Sequence, residues 1–199
     1  MEVDPERIAR WIDGFGERHG GHTTEGLTLH GGDGATATFE VPPGVPAAAD
    51  PAALVDAATR PRPLGLLLVR RGGYAVGVAA GADLEVSKVD SRYVQSRTAA
   101  GGWSQQRFAR RRDNQARAMA GEVADVAVRL LLPARDRLTA LVAGGDRRLA
   151  DEVLADPRLE PLLPLRSGRF LDVPDPRLAV LQAAARSARA VRVLVRDSR

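Results

Sequence analysis

The chain has 199 residues, with 29 basic side chains, 25 acidic side chains and no cysteine, which excludes a disulfide framework, a cysteine zinc site and a thiol nucleophile. Hydrophobic residues make up 44% of it, enough for a packed core, and no apolar run approaches the roughly 20 residues that a membrane span needs. The N-terminus is acidic and mixed rather than signal-like, so we expect a cytoplasmic protein that has no membrane partner.

The excess positive charge is concentrated in one segment. Seven arginines and one acid lie between Arg92 and Arg117, a local charge of +6, whereas the whole chain carries +4 and the remainder therefore carries −2. A local basic cluster predicts contact with a polyanion, and a solvated helix face is the alternative interpretation.

The first 59 residues predict a small helix-and-hairpin element. Apolar residues recur at helical spacing over 4–19, and two glycines follow. Two alternating runs at 27–30 and 35–41, joined by a glycine-rich turn, predict a β-hairpin. The segment 42–53 is rich in proline and alanine and predicts a stiff connector, with a short helix at 52–59.

Residues 60–199 predict a second unit of the α/β class, a mixed β-sheet flanked by helices. Apolar or alternating runs predict strands at 64–70, 74–80, 84–89, 92–96, 138–143, 162–165 and 191–196. Helical periodicity predicts helices at 104–132, 147–155 and 176–188. The first of these helices would be about 40 Å long. Its first three turns are too polar to be buried, so we expect them to project.

A glycine-rich loop meets the start of this long helix. Residues 101–115 read Gly-Gly-Trp-Ser-Gln-Gln-Arg-Phe-Ala-Arg-Arg-Arg-Asp-Asn-Gln. Glycine permits close approach of the backbone to a ligand, and a helix N-terminus presents unpaired N–H groups. The side chains before the helix are small, so we expect residues 98–104 to be mobile in the free protein. The pattern predicts an uncharged, hydrogen-bonding tip on a positively charged helix.

This motif resembles the tip of the eukaryotic and archaeal class-1 peptide release factors. Those proteins carry Gly-Gly-Gln, then Ser, two variable residues and Arg-Phe-Ala-Arg-x-Arg. Here Gly101-Gly102, Ser104 and residues 107–112 match that pattern, and Trp103 stands where the family has its glutamine.

A related branch, the Vms/ANKZF-like release factors of ribosome quality control, places its glutamine in a G-x-x-Q pattern. Residues Gly102 to Gln105 fit that spacing. The sequence is therefore identified as a bacterial member of this branch, of actinobacterial type from its Arg and Ala bias. The resemblance extends over about residues 60–199, with a long helix after a Gly-rich catalytic loop, as in the release-factor central domain.

The resemblance implies codon-independent hydrolysis of the peptidyl-tRNA ester, on stalled ribosomes or split large subunits. A glutamine amide has no useful pKa near neutrality, so it can only orient a water by hydrogen bonds while backbone N–H groups stabilise the oxyanion. This chemistry needs no cofactor and no metal ion. The implied partners are the large ribosomal subunit with its rRNA and peptidyl-tRNA, and we expect a monomer.

The implied site residues are carried over position by position. The catalytic set is Gln105, Gly101, Gly102 and Gln106. Gln105 is preferred because it satisfies G-x-x-Q, while Gln106 would point about 100° away. The residues expected to contact RNA are Trp103, Ser104, Arg107, Arg110, Arg111, Arg112 and Arg97. Arginines position an RNA backbone without reading its sequence, and the tryptophan either stacks on a base or inserts into the core of the domain.

Three other interpretations remain open. Pelota-type relatives share the fold but lack the catalytic glutamine, and Trp103 favours such a non-catalytic ribosome-binding rescue factor. A generic RNA-binding α/β domain explains the basic segment but not the motif. A two-metal nuclease is a weaker alternative, and its candidate ligands are Asp146, Asp151, Glu152 and Asp156.

Overall fold

The computed structural model describes residues 1–91 and 104–197, and for residues 104–114 and 116 it describes the backbone alone. The strands are β1 Glu2–Val3, β2 His22–Glu25, β3 Thr28–Gly31, β4 Thr36–Glu40, β5 Pro63–Arg70, β6 Gly73–Ala80, β7 Asp83–Ser91, β8 Ala140–Gly145, β9 Arg166–Leu171 and β10 Val191–Arg196. The α-helices are α1 Ile8–Arg18, α2 Pro51–Thr59, α3 Ser104–Leu131, α4 Arg147–Leu154 and α5 Leu178–Arg189. Shorter 3-10 helices span Pro5–Arg7, Leu132–Arg137 and Pro157–Leu165.

One five-stranded sheet has the order β7-β6-β5-β8-β9 and is mixed. β5, β6 and β7 form an antiparallel meander, whereas β8 is parallel to β5 and β9 is parallel to β8. α3 and α4 cover one face of this sheet and α5 covers the other, so β5 and β6 are almost wholly buried. The predicted fold class, a mixed β-sheet flanked by helices, is confirmed.

α3 buries an apolar stripe along its C-terminal half. Met119, Val123, Ala127 and Leu131 recur every four residues and are each at most 5% exposed. They pack with strand residues of β5 and β6 in the largest core cluster. Neither α3 nor any other helix in the described parts of the chain combines the length and the apolar composition of a membrane span.

The second five-stranded sheet, of order β1-β10-β4-β3-β2, joins the two ends of the chain. β10 lies between β1 and β4, antiparallel to both, and the amino group of Met1 donates to the Val193 carbonyl at 2.9 Å. Val191 and Val193 are buried with residues of α1 and α2. The division of the chain into 1–59 and 60–199 stays a prediction. Among the described residues, the last strand pairs only with strands that precede residue 41, so the sheet contains segments from both predicted units.

The structure corrects the prediction between the last helices. The strand predicted at 162–165 is wrong, because Pro157–Leu165 is a 3-10 helix and the strand β9 begins only at Arg166. Proline lacks the N–H that a strand donates to its neighbour, and three prolines occur in this stretch. β2 is a further strand that the sequence does not predict, and the strand predicted at 92–96 lies outside the described residues.

Candidate nucleic-acid interface

Two contacts define how α3 runs along the mixed sheet. The Tyr74 hydroxyl donates to Glu122 Oε1 at 3.3 Å, and Tyr74 pairs with Val69 near the carboxyl end of β5. Further along the helix, Leu131 lies beside Gly65, where an added Cβ would be 3.7 Å from Leu131 Cδ2. α3 therefore descends from the carboxyl end of β5 towards its amino end.

Residues before Met119, the first residue of the buried apolar stripe, continue α3 beyond the core. The helix begins at Ser104, and the rise of 1.5 Å per residue gives about 22 Å between Ser104 and Met119. Gln115, Arg117 and Ala118 point in different directions around the helix axis, and all three are exposed. Around residues 115–118, α3 thus has few neighbours on any side. Residues 104–118, called the arm below, extend from the domain.

Charge is divided along α3. Positions 104–117 hold five arginines and one aspartate, whereas positions 118–131 hold one arginine and two acids. Both acids of the packed half are engaged, Glu122 with Tyr74 and Asp125 with Arg158 at 2.8 Å. The arm is therefore the positive part of the helix, as contact with phosphates requires.

Part of the predicted site falls within the described backbone of α3. These positions are Ser104, Gln105, Gln106, Arg107, Arg110, Arg111 and Arg112, which occupy its first turns. The other predicted site residues lie outside the described residues: Arg97, Gly101, Gly102 and Trp103. Most of the stretch 98–104, which we expect to be mobile, also lies outside them.

The sequence reasoning missed a second group of arginines at the end of the sheet from which the arm extends. β5, β8 and β9 are parallel neighbours, so their carboxyl ends meet. Val69 pairs with Gly145, Gly144 pairs with Leu171, and the Asp146 N–H donates to the Val69 carbonyl at 2.7 Å. Five arginines, called the basic cluster below, lie at these strand ends or in the segments that follow them: Arg70, Arg71, Arg147, Arg148 and, directly before α5, Arg177. The sequence signal for this cluster is a pair of adjacent arginines at or shortly after each of two apolar strands, Arg70-Arg71 and Arg147-Arg148.

Three of the four acids of the nuclease alternative have structural partners. Asp146 caps α4, and Asp151 pairs with Arg166. Hydrogen bonds from the side chain and backbone of Arg158 lower the pKa of Asp156 to about 2. Across the described ranges, no group of three or more His, Asp or Glu side chains is placed to hold a metal ion.

Comparison with known families decides the class of this protein. A family model described as the actinobacteria/chloroflexi VLRF1 release factor matches residues 62–194, more than half of the chain. The chain belongs to this release-factor family. The match runs from β5 into β10 and includes the whole arm. The release-factor part of the resemblance is thereby confirmed, whereas the Vms/ANKZF branch stays a prediction.

Solved structures show what this VLRF1 family member shares with others. The crystal structure of the archaeal translation termination factor aRF1 is similar with a TM-score of 0.50 and 22% identity, over 63% of this chain and 34% of that one. A second structure, described as an archaeal protein, has a TM-score of 0.41 and 20% identity, over 61% and 32%. The chain spans about a third of their length, and the aRF1 likeness shows a shared fold alone. No curated protein matches the chain.

Proposed function

We propose that this VLRF1 family member hydrolyses the ester of peptidyl-tRNA in the cytoplasm, independently of the codon, on stalled ribosomes or split large subunits. The observation that carries the proposal is the G-x-x-Q motif of Gly102 to Gln105 at the start of an arm that extends about 22 Å from the packed part of α3. Membership of a release-factor family supports the reaction class, and the length of the arm supports access to a recessed site.

In this proposal Gln105 positions the attacking water. Its amide takes up no proton near neutral pH, so it acts only through hydrogen bonds to the water. Backbone N–H groups at the tip would stabilise the developing oxyanion, and one such donor is typically worth about 3–4 kcal/mol, or roughly 10² to 10³ in rate. Gly101 and Gly102 permit close approach to the ester, and Gln106 is the alternative to Gln105. The reaction requires no metal ion or cofactor from this chain.

The charged part of the arm would hold the tip in place. Its partners in the proposal are the rRNA of the large subunit and the tRNA of the substrate, contacted by a monomer. The residues assigned to these contacts are Ser104, Arg107, Arg110, Arg111 and Arg112 on the arm, with Arg97 and Trp103 before it. Arginine forks bind phosphates in a bidentate manner, and a tryptophan can stack on a base.

A second candidate function is favoured by one observation. Trp103 occupies the position at which class-1 release factors carry glutamine. A protein of the Pelota-like type would use the same arm to bind the ribosome and would catalyse no hydrolysis. The two Gln residues that follow Ser104 favour the hydrolase, because binding alone does not need them.

The test is release of labelled peptide from purified large-subunit–peptidyl-tRNA complexes by wild type, Gln105→Ala and Gln106→Ala side by side. We expect Gln105→Ala to bind normally and to release peptide about 10²-fold more slowly, and Gln106→Ala to resemble wild type. Loss of release in Gln106→Ala alone would assign the water to Gln106. Binding of wild type without any release would favour the second candidate.

A further inference from the structure

We infer that the basic cluster (Arg70, Arg71, Arg147, Arg148 and Arg177) is a second contact for an RNA phosphate backbone, separate from the arm. The inference rests on the proposed function in taking a ribosomal complex as the partner. It concerns the carboxyl ends of β5, β8 and β9, to which the family resemblance assigns no role.

The cluster adjoins Ser91, the last described residue before α3. Arg70 pairs with Gly73, and Gly73 pairs with Ser91, the last residue of β7. On the other side of β5, Val69 pairs with Gly145, and a Cβ added to Gly145 would lie 2.9 Å from Arg70 Cγ. The strand ends that carry the arginines are therefore in direct contact, at the end of the sheet from which α3 extends.

Two of the guanidinium groups are held in fixed positions. Arg70 Nη1 donates to the Val173 carbonyl, and its Nε lies 4.0 Å from Asp175 Oδ1. Arg147 stacks on Phe170, with its Cζ 4.1 Å from the ring centroid. Stacking on a ring orients the arginine while leaving its N–H groups free to bind an anion.

Most of the positive charge in the cluster is not neutralised. Arg71, Arg147, Arg148 and Arg177 are exposed, and none of them forms an ion pair with an acid in the described part of the chain. Four aspartates lie nearby. The Asp146 carboxylate caps α4, Asp175 lies beside Arg70, Asp172 is exposed, and Asp90 pairs with Tyr74 at the end of β7. This end of the sheet thus carries four arginines without an acidic partner and two aspartates, Asp90 and Asp172, that form no ion pair among the described residues.

The opposite end of the sheet shows a different pattern. There Arg137 pairs with Glu85 and Arg135 pairs with Asp136 at 3.1 Å, while Arg129 beside Arg137 has no acidic partner among the described residues. Intramolecular pairing leaves little charge for a partner, whereas unpaired exposed arginines attract phosphates. The positive charge of the sheet and that of the arm therefore accumulate at the same end, where one RNA surface can reach both.

The chemistry of the cluster favours a nucleic-acid backbone. Arginine matches phosphate geometry with two parallel N–H groups, and such contacts position a protein without reading base sequence. Each neutralised phosphate releases counterions, so the contact adds to the salt dependence of binding. Ribosomal RNA and tRNA share this backbone, and binding to each can be measured separately.

The experiment compares Arg71→Gln/Arg148→Gln with the matched control Arg129→Gln/Arg186→Gln. The control removes the same charge from exposed positions of α3 and α5 that lie away from the cluster and have no acidic partner among the described residues. Binding to vacant large subunits, and to deacylated tRNA alone, is measured over a range of salt concentrations. We expect the cluster variant to bind more weakly, with the slope of log affinity against log salt reduced by about 1.5 to 2. The control should keep the wild-type slope.

The outcomes separate this inference from the proposed function. A reduced slope on subunits assigns the contact to rRNA, a reduced slope on tRNA assigns it to tRNA, and either supports the inference. An unchanged slope on both large subunits and tRNA overturns the inference. Peptide release by wild type still tests the proposed function in that case. If wild type binds but releases no peptide, the proposed function fails, while the slopes still decide the role of the cluster.

Discussion

Asp125 Oδ1 on α3 lies 2.8 Å from Arg158 Nη1, and the same guanidinium donates through Nε and Nη2 to both carboxylate oxygens of Asp156. Beneath this contact, Leu159 and Leu162 of the 3-10 helix are fully buried in the core that α3 covers. The packed half of α3 is thus held by apolar burial on one side and by an ion pair on the other. A firmly held base is what a long arm needs in order to place its tip.

The Asp156–Arg158 pair predicts a dependence of stability on pH. Its hydrogen bonds lower the pKa of Asp156 from 3.8 to about 2. At a pH above the ordinary pKa of 3.8, the lowered pKa of Asp156 stabilises the folded state relative to the unfolded chain. This contribution is lost as the pH falls towards about 2. We expect Asp156→Asn to lower the free energy of unfolding at neutral pH, with a smaller difference from wild type at about pH 3. Urea unfolding measures the free energy of both proteins at each pH. An equal difference between them at the two pH values would contradict a stabilising role of the Asp156–Arg158 pair.

Truncation of a residue in the apolar stripe should loosen the base of the arm. Val123 is fully buried, so Val123→Ala removes two buried carbon atoms and leaves a small cavity. We expect a loss of about 2 kcal/mol in the free energy of unfolding. Arg129→Ala, on the exposed side of the same helix, should change it by less than about 0.5 kcal/mol. Equal losses in chemical denaturation would show that the stripe is not what anchors α3.

The turn that leads from β8 into α4 requires glycine. Gly145 has φ +94°, and an added Cβ would lie 2.3 Å from the Val69 carbonyl oxygen. We expect Gly145→Ala to cost about 2 kcal/mol or more, because both the backbone and the packing are strained. Gly168→Ala is the matched control, since a Cβ there meets nothing within 4 Å. Thermal unfolding of the two variants gives the comparison, and similar midpoints would be inconsistent with a strained turn.

Removal of the first 59 residues should disturb the last strand. β10 would lose both of its partners, and Val191 and Val193 would become exposed. We therefore expect a chain of residues 60–199 to lack the cooperative thermal transition of the full protein. Circular dichroism over a temperature scan measures this. A transition at the wild-type midpoint would instead support 1–59 and 60–199 as independent domains.

The sequence predicts those elements whose burial produces a strong local pattern. The apolar run at 64–70 becomes β5, because a strand covered on both faces is apolar throughout. The helical period over 104–132 becomes α3, because one stripe faces the sheet. β9 is not predicted, since Arg-Ser-Gly-Arg-Phe-Leu alternates only weakly and follows a proline-rich stretch.

The local hydrophobic pattern of a strand does not show which distant strand it pairs with. The apolar composition of β8 is compatible with several neighbours, and its parallel pairing with β5 appears only in the folded chain. This pairing brings Arg70 and Arg147 to one end of the sheet, so the sequence shows the two Arg-Arg pairs but not that they lie together. The motif at the start of α3 could be located from sequence, although its chemistry rests on the family resemblance.

The central claim is that this release-factor family member cleaves the peptidyl-tRNA ester. The most direct measurement follows a single turnover of labelled peptide on purified large-subunit–peptidyl-tRNA complexes, without small subunit or mRNA, in water enriched in oxygen-18. We expect release that rises with protein concentration to a plateau, free tRNA, and one heavy oxygen in the carboxylate of the released peptide. Saturable binding with release no faster than in buffer alone would contradict the claim.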